Sequence, residues 1–524
     1  MIYDYVVVGS GPSGAVLSKT LSDDKRSSVL LIEAGENNDK DAAIMNSAFD
    51  PMYYYPKYFW QGESMPQEKL NGKRFYWTTG RLLGGGSSVN MQQYVRPTSY
   101  VYRKWESFFG HIWSPEVVIN NFKELEKYNG YTNNPTNIHG YNGRTNIRMV
   151  PEIVPRMTKK FVSAIEGATG FSEVLDYNDP STPIGPFTRW QVYQKPNGQR
   201  ESSSTAFLSD DVMTPDGFGV GGRKLRVLTK TTALRILFDM NRVAIGIEII
   251  REGHCEIVYG LKKIIICAGI NSPQLLLQSG IGPFDELRKA GIHVIFDNQN
   301  VGKNMANHTI NFASFTVNND DVSELSLEPD SIYLGGAFLP EPFNFSENRR
   351  SVQLIGTYSN GLFTIIILNL NPQSRGTVKI QNNDPLKIAL ADEGALLNPK
   401  DIQVIKDIYR NYIKNIALKL NSIDPKYELV SPTLEMIDDD KLLEDYIING
   451  LAISYHQEST LRMGPYNGGG VVDNIGRVYG VHNLVVADNS IVPFTVDGNT
   501  ASSAFLIGYT IAKQLIQEQK PPQI

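Results

Sequence analysis

Three glycines near the N-terminus constrain this chain more than any other feature. Residues 3–8, YDYVVV, form a short apolar, β-branched run that stops at Gly9-Ser10-Gly11-Pro12-Ser13-Gly14, after which residues 15–21 take helical spacing. A second apolar run, residues 28–32, ends at Glu33-Ala34-Gly35. Strand, glycine turn, helix, strand and acid in that order make a βαβ unit for a dinucleotide. Gly9 permits the tight turn, Gly11 lets the backbone approach a pyrophosphate, and Gly14 allows the helix to pack closely on the strand. The helix N-terminus, which opens at Pro12 and Ser13, faces the phosphates. Glu33, 19 residues past Gly14 and next to Ala34, is placed to accept hydrogen bonds from ribose hydroxyls. NAD and FAD share the pyrophosphate and the ribose, so the unit by itself admits either.

At 524 residues the chain exceeds one ordinary core, which predicts two or more domains, or one large domain with a second layer, and room for a buried cofactor. Charged residues make up 20%, both signs are interspersed and the net charge is -5, which gives no basic face for nucleic acid. Cys255 and Cys267 both sit in apolar runs that read as strands, and we expect small buried hydrophobes rather than disulfide or metal partners. The longest apolar stretch, residues 363–370, suits a core strand and falls short of a membrane span. A strand begins at Ile2 with no basic, apolar leader ahead of it, so the expectation is no signal peptide and a cytoplasmic protein. The sequons at Asn307 and Asn344 then read as chance matches.

Aromatic residues crowd positions 53–60, YYYPKYFW, as packing or lid material ahead of a second glycine-rich stretch at 80–90. Turn residues dominate 151–208, and β patterns return over 225–249 and 256–267. A helix is expected at 273–279 and a short strand at 292–296. Between 306 and 451, strand patterns at 365–370 and 376–380 mix with a helix at 399–418. The chain closes with a strand at 484–487 and a helix running to about 517. It leaves one domain and comes back. Residues 1–155, 215–305 and 460–524 are expected to form the cofactor domain, and 156–214 and 306–459 the second.

The stretch Gly80-Arg81-Leu82-Leu83-Gly84-Gly85-Gly86-Ser87-Ser88-Val89-Asn90 resembles the first signature of the glucose-methanol-choline (GMC) oxidoreductases, FAD enzymes that oxidise alcohols. Other blocks follow in the family's order. Residues 200–208 are similar to its RxSxxxxYL segment, residues 272–282 to its second signature, and Val301-Gly302-Lys303-Asn304 to its cofactor-domain exit motif. Residues 455–464 resemble the WHxxGTCRMG block and are followed by Val486-Ala487-Asp488-Asn489-Ser490 and Gly498-Asn499-Thr500. The resemblance implies FAD and an α/β class with an α+β second domain: a Rossmann-like FAD-binding domain with a discontinuous substrate domain on an antiparallel sheet. It implies cofactor contacts at Arg81, Gly85, Ser88 and Asn90, at Val227 near the adenine, and at Asp488 on the ribityl chain. Bare backbone at 84–88 suits close approach to the isoalloxazine ring. Some relatives bind FAD covalently through a His where this chain has Val89, so noncovalent FAD is expected. Stretches heavy in Asn, Tyr, Ile and Lys, such as 120–134, point to an AT-rich genome and a giant-virus, virion-associated member of the family.

His456 falls on the family's base position, where imidazole takes the substrate hydroxyl proton while hydride leaves the adjacent carbon for flavin N5. The second position, His or Asn in relatives, is Asn499, which orients the alcohol oxygen but cannot act as a base. Asn499 also has the chemistry of a helix N-cap. The helix starting near Thr500 would aim its positive end at flavin N1 and the C2 carbonyl. Two departures stand out. Residues 267–273 are one shorter than the usual AGxxxSP spacing, and Leu461 replaces a common Cys. The expected substrate is a primary alcohol, aryl or otherwise apolar, with O2 or a quinone-like acceptor. The competing readings are a hydroxynitrile lyase, which the Gln457-Glu458 pair fails to match, and a coat or interaction protein that keeps the fold.

Overall fold

The run Tyr5, Val6, Val7 and Val8 is apolar without alternation, the pattern of a parallel strand covered on both faces, and it forms the buried end of β1 (Ile2–Val8). The computed structural model describes residues 1–46, 55–133, 138–325, 334–344 and 349–519. β1 pairs in parallel with β2 (Val29–Ile32) and with His254–Ile266, and α1 (Pro12–Ser22) makes the crossover between β1 and β2. Leu225–Leu228 extends the sheet in parallel beyond β2, and Leu484–Val486 joins His254–Ile266 in the same sense. On the far side the sheet turns antiparallel through Ala244–Arg251 and Thr231–Phe238. The C-terminal helix, Ala501–Glu518, lies on α1 so closely that a Cβ on Gly508 would sit 2.3 Å from the Ser13 carbonyl oxygen.

A second sheet of seven strands is antiparallel throughout. Its centre is Thr309–Phe315 against Leu362–Asn369 against Val352–Ser359. Alternation divides its two faces. Ala313, Phe315, Phe363, Ile365, Ile367 and Leu354 join the core under the helices, whereas Ile310, Ile355, Ile366 and Leu368 line a cavity between the two sheets. A smaller sheet joins Glu126–Asn129, Thr145–Val150 and Trp190–Tyr193, and so spans the division expected at residue 155. Among the described residues no helix is long and apolar enough to cross a membrane.

Several expectations need correction. Cys267 is buried, but Cys255 is exposed, because its strand runs out beyond the packed layers. Of the strand expected at 292–296 only Phe296 pairs; with Asp297 it forms a two-residue strand against Ile281–Gly282. The helix expected at 399–418 continues to Ile423 and contains a π turn, Tyr409–Ile413. The extra residue in that turn lets Tyr409 donate to the Phe312 carbonyl at 2.7 Å and Tyr412 to the Pro340 carbonyl at 3.1 Å. Of the aromatic cluster, Tyr53 and Tyr54 lie outside the described residues, Tyr55 is exposed, Tyr58 is buried, and Phe59 and Trp60 line the cavity.

Candidate active site

The three N-terminal glycines meet different surroundings. Gly9 has φ +95°, and a Cβ there would lie 2.4 Å from the Cys267 carbonyl oxygen, while one on Gly14 would lie 1.9 Å from the Gly9 carbonyl oxygen. Gly11 has open space where its Cβ would be, so its backbone stands bare at the N-terminus of α1. The second glycine turn comes up against it: a Cβ on Gly85 would sit 2.8 Å from the Gly11 Cα. Glu33 is buried at the end of β2. Its carboxylate accepts from the Ser10 amide at 3.1 Å, the Ser10 hydroxyl at 2.6 Å and the Gly35 amide at 2.9 Å. Burial pushes its pKa up despite these bonds.

A cavity of about 600 Å³ connects these groups to the C-terminal motifs. Gly9, Gly11, Pro12, Ser13, Glu33, Ala34, Gly85, Asn90, Asp488, Asn499 and Thr500 all line it, as does His456. Four expected contacts lie off it. Gly14 packs helix on strand, and the Ser88 hydroxyl donates to the Leu83 carbonyl at 2.8 Å. Arg81 is exposed, with its guanidinium 4.6 Å from the centre of the Trp60 ring. Val227 pairs with Leu31 inside the first core, and Thr231, Thr232, Ala233 and Leu234 of the next strand line the cavity instead. Asp488 accepts from the Ser272 hydroxyl at 2.6 Å, the Gly269 amide at 2.9 Å and the Ser490 amide at 2.8 Å, which fastens the shortened 267–273 turn to the C-terminal segment.

At the other end of the cavity, His456 Nε2 and Asn499 Nδ2 stand 3.5 Å apart. The Asn499 amide is locked: Gln353 donates to its Oδ1 at 3.0 Å and its Nδ2 donates to Gln93 Oε1 at 3.0 Å. It is therefore no helix cap; Thr500 takes that place, with no side-chain bond to the helix. His456 Nδ1 meets His308 Nδ1 at 3.0 Å, and its amide donates to Asn307 Oδ1 at 3.0 Å. Burial holds the His456 imidazole well below its ordinary pKa, and neighbouring His308 adds to the effect. Among the described residues the cavity is lined by two carboxylates, Glu33 and Asp488, both placed by the glycine turns; beside His456 its walls include Ile310, Leu368, Ile453 and Tyr455.

Sequence reasoning missed four residues. Arg200 is buried and clamps the second glycine loop, donating to the Asn90 carbonyl at 2.7 Å and the Ile44 carbonyl at 3.0 Å. Gln93 and Gln353 fix Asn499, and His308 contacts His456. Two of the four left a trace in the sequence: Arg200 opens the segment at 200–208 that resembles RxSxxxxYL, and His308 is one of seven histidines, four residues past the Val301–Asn304 motif.

These residues fit a bound dinucleotide on structural grounds: a bare Gly11 at a helix N-terminus for phosphate, and a buried carboxylate at the strand end for ribose. Among the described residues, Gln93 Nε2 also lines the cavity without a hydrogen-bond partner.

Two family models, both described as GMC oxidoreductase, match residues 3–310 and 372–508. An alcohol dehydrogenase [acceptor] of Pseudomonas putida is 28% identical across 99% of this chain and 96% of its own length. Pyridoxine 4-oxidase from Mesorbium loti has the same fold with a TM-score of 0.86 at 23% identity, covering 99% of this chain and 100% of that one. A fungal aryl-alcohol oxidase matches with a TM-score of 0.84 at 18% identity, covering 98% of this chain and 99% of that one. Nothing in these matches supports the viral expectation.

Proposed function

Since the chain belongs to the GMC oxidoreductases and is an FAD-dependent alcohol oxidoreductase, we propose that it oxidises an uncharged, apolar primary alcohol to the aldehyde, with His456 as the base. One observation supports this above the rest. His456 Nε2 and Asn499 Nδ2 converge at an end of the cavity whose walls include Ile310, Leu368, Ile453 and Tyr455. An aryl or alkyl group is at home there, and among the described residues no carboxylate lines that end of the cavity to balance a cation.

The residues that would hold FAD are Gly9, Gly11, Pro12, Ser13, Glu33 and Ala34 at the dinucleotide half, and Gly85, Asn90, Asp488 and Thr500 toward the ring. Bound FAD supplies the acceptor for the hydride that leaves the alcohol carbon. The chain's own residues do the rest. Asn499 Nδ2–H donates to the alcohol oxygen and fixes its lone pairs, while His456 Nε2 takes the hydroxyl proton. The Ile310 and Leu368 side chains keep water from that oxygen. Val89 offers no nucleophile, so FAD binds noncovalently, and denaturation should release all the flavin into the supernatant. Electrons pass on to O2 or a quinone-like acceptor.

The test is anaerobic mixing of the yellow holoenzyme with a panel of aryl and aliphatic alcohols while the flavin absorbance is followed. Bleaching by neutral alcohols and none by choline is the expected result. Cleavage of mandelonitrile without bleaching would replace this reading with a lyase, and neither response would leave a non-catalytic protein.

A further inference from the structure

We infer that His308 is a positioning residue that sets the proton of His456 on Nδ1 and thereby keeps Nε2 bare for the substrate. The inference rests on the reading of His456 as the base. It starts from a backbone carbonyl. Val496 O can only accept, and His308 Nε2 lies 2.9 Å from it, so Nε2 of His308 carries a hydrogen. His308 is neutral, because burial and the Arg349 charge pull its pKa down to about 4. Its Nδ1 is then a lone pair. His456 Nδ1 sits 3.0 Å from that lone pair, with the two rings at 87°, and this contact requires the hydrogen on His456 Nδ1. Nε2 of His456 is left unprotonated and faces Asn499 in the cavity.

The opposite tautomer would set two lone pairs against each other and leave Nε2 blocked by a proton. When His456 takes the alcohol proton, its Nδ1–H becomes a cationic donor to neutral His308. That bond strengthens as the charge develops, so His308 stabilises the product of proton transfer more than the resting state. Both ends of the relay are fixed. The Val496 amide donates to Glu458 Oε1 at 3.1 Å, and Ser454 Oγ and the His456 amide both hold Asn307 Oδ1, next to His308. The charged groups around the pair are Arg349; Glu458, whose pKa burial pushes up to about 8; Arg375, whose charge opposes that shift; and Glu393, held by Asn307 and Gln457.

The test combines 15N-histidine NMR of the holoenzyme, which reads the tautomer of His456, with anaerobic flavin reduction between pH 5 and 9. Wild type should show His456 protonated on Nδ1. His308→Ala should move the proton to Nε2 and slow reduction about 10²–10⁴-fold, the range that a misplaced base proton produces, with the apparent alcohol affinity kept within about twofold. His308→Asn, whose Oδ1 can accept where Nδ1 did, should restore the Nδ1–H signature and at least tenfold of the rate. An Nε2–H signal from His456 in wild type overturns the inference, whatever the variants do. So does an unchanged rate in His308→Ala. If wild type shows Nδ1–H yet no alcohol bleaches the flavin, the positioning stands and the alcohol reading falls.

Discussion

The base role proposed for His456 needs a neutral ring, and burial favours that form by holding its pKa well below the ordinary imidazole value. A depressed folded pKa means that the active form is present at neutral pH and is lost as pH falls through a value well below 6.5. Flavin reduction by alcohol, measured by stopped flow, should therefore be level from about pH 6.5 upward and fall only in more acid buffer. A limb centred at or above 6.5 would contradict the desolvated site. His456→Ala should keep FAD in the protein yet slow reduction about 10²–10⁴-fold. Asn499→Ala removes one donor aimed at the alcohol oxygen and should cost about 10²-fold in the same measurement. Motif position was enough to name both residues as candidates. Their working geometry was not, because Gln93 and Gln353 reach Asn499 from distant parts of the chain.

The first βαβ element was the most legible part of the fold, because every constraint on it is local: apolar run, glycine turn, helical spacing, acid. Even here the three glycines separate only in space. Adding a methyl at Gly14 drives it into the Gly9 carbonyl, whereas at Gly11 it meets nothing. Gly14→Ala should thus destabilise the protein by about 1–3 kcal/mol or more in urea unfolding, as overpacking does. Gly11→Ala should unfold with the wild-type midpoint as apoprotein but retain less FAD after gel filtration. Equal effects of the two on stability would remove the distinction. The π turn at Tyr409–Ile413 shows the opposite case: its helical periodicity is continuous in sequence, and only the demand to place Tyr409 and Tyr412 on separate carbonyls interrupts it.

Across the whole molecule, a buried ionic network ties early segments to later ones. Arg96 pairs with Glu126, whose carboxylate also meets His139 Nδ1 at 3.1 Å, and His139 Nε2 meets Asp176 at 2.9 Å. Burial would raise both carboxyls, but Arg96 and His139 hold Glu126 below its ordinary range, and His139 and Gln191 hold Asp176 down. Depressed carboxylates contribute stability above their unfolded pKa values and lose it as pH falls through the folded ones. Glu126→Gln, which leaves Arg96 without its counter-charge, should cost about 3–5 kcal/mol at pH 7 in urea unfolding. A loss under about 1 kcal/mol would show the network to be dispensable. By itself the sequence determined the dinucleotide unit and the candidate pair His456 and Asn499, because motif spacing and periodicity are properties of neighbouring residues. Tertiary structure alone decided the removal of Val227 and Arg81 from the cavity wall, the clamp by Arg200, and the meeting of His308 with His456. Arg81 apart, which stacks on Trp60 nearby, those contacts join residues over a hundred positions apart, and no local propensity encodes which side chains two sheets will bring face to face across a cavity.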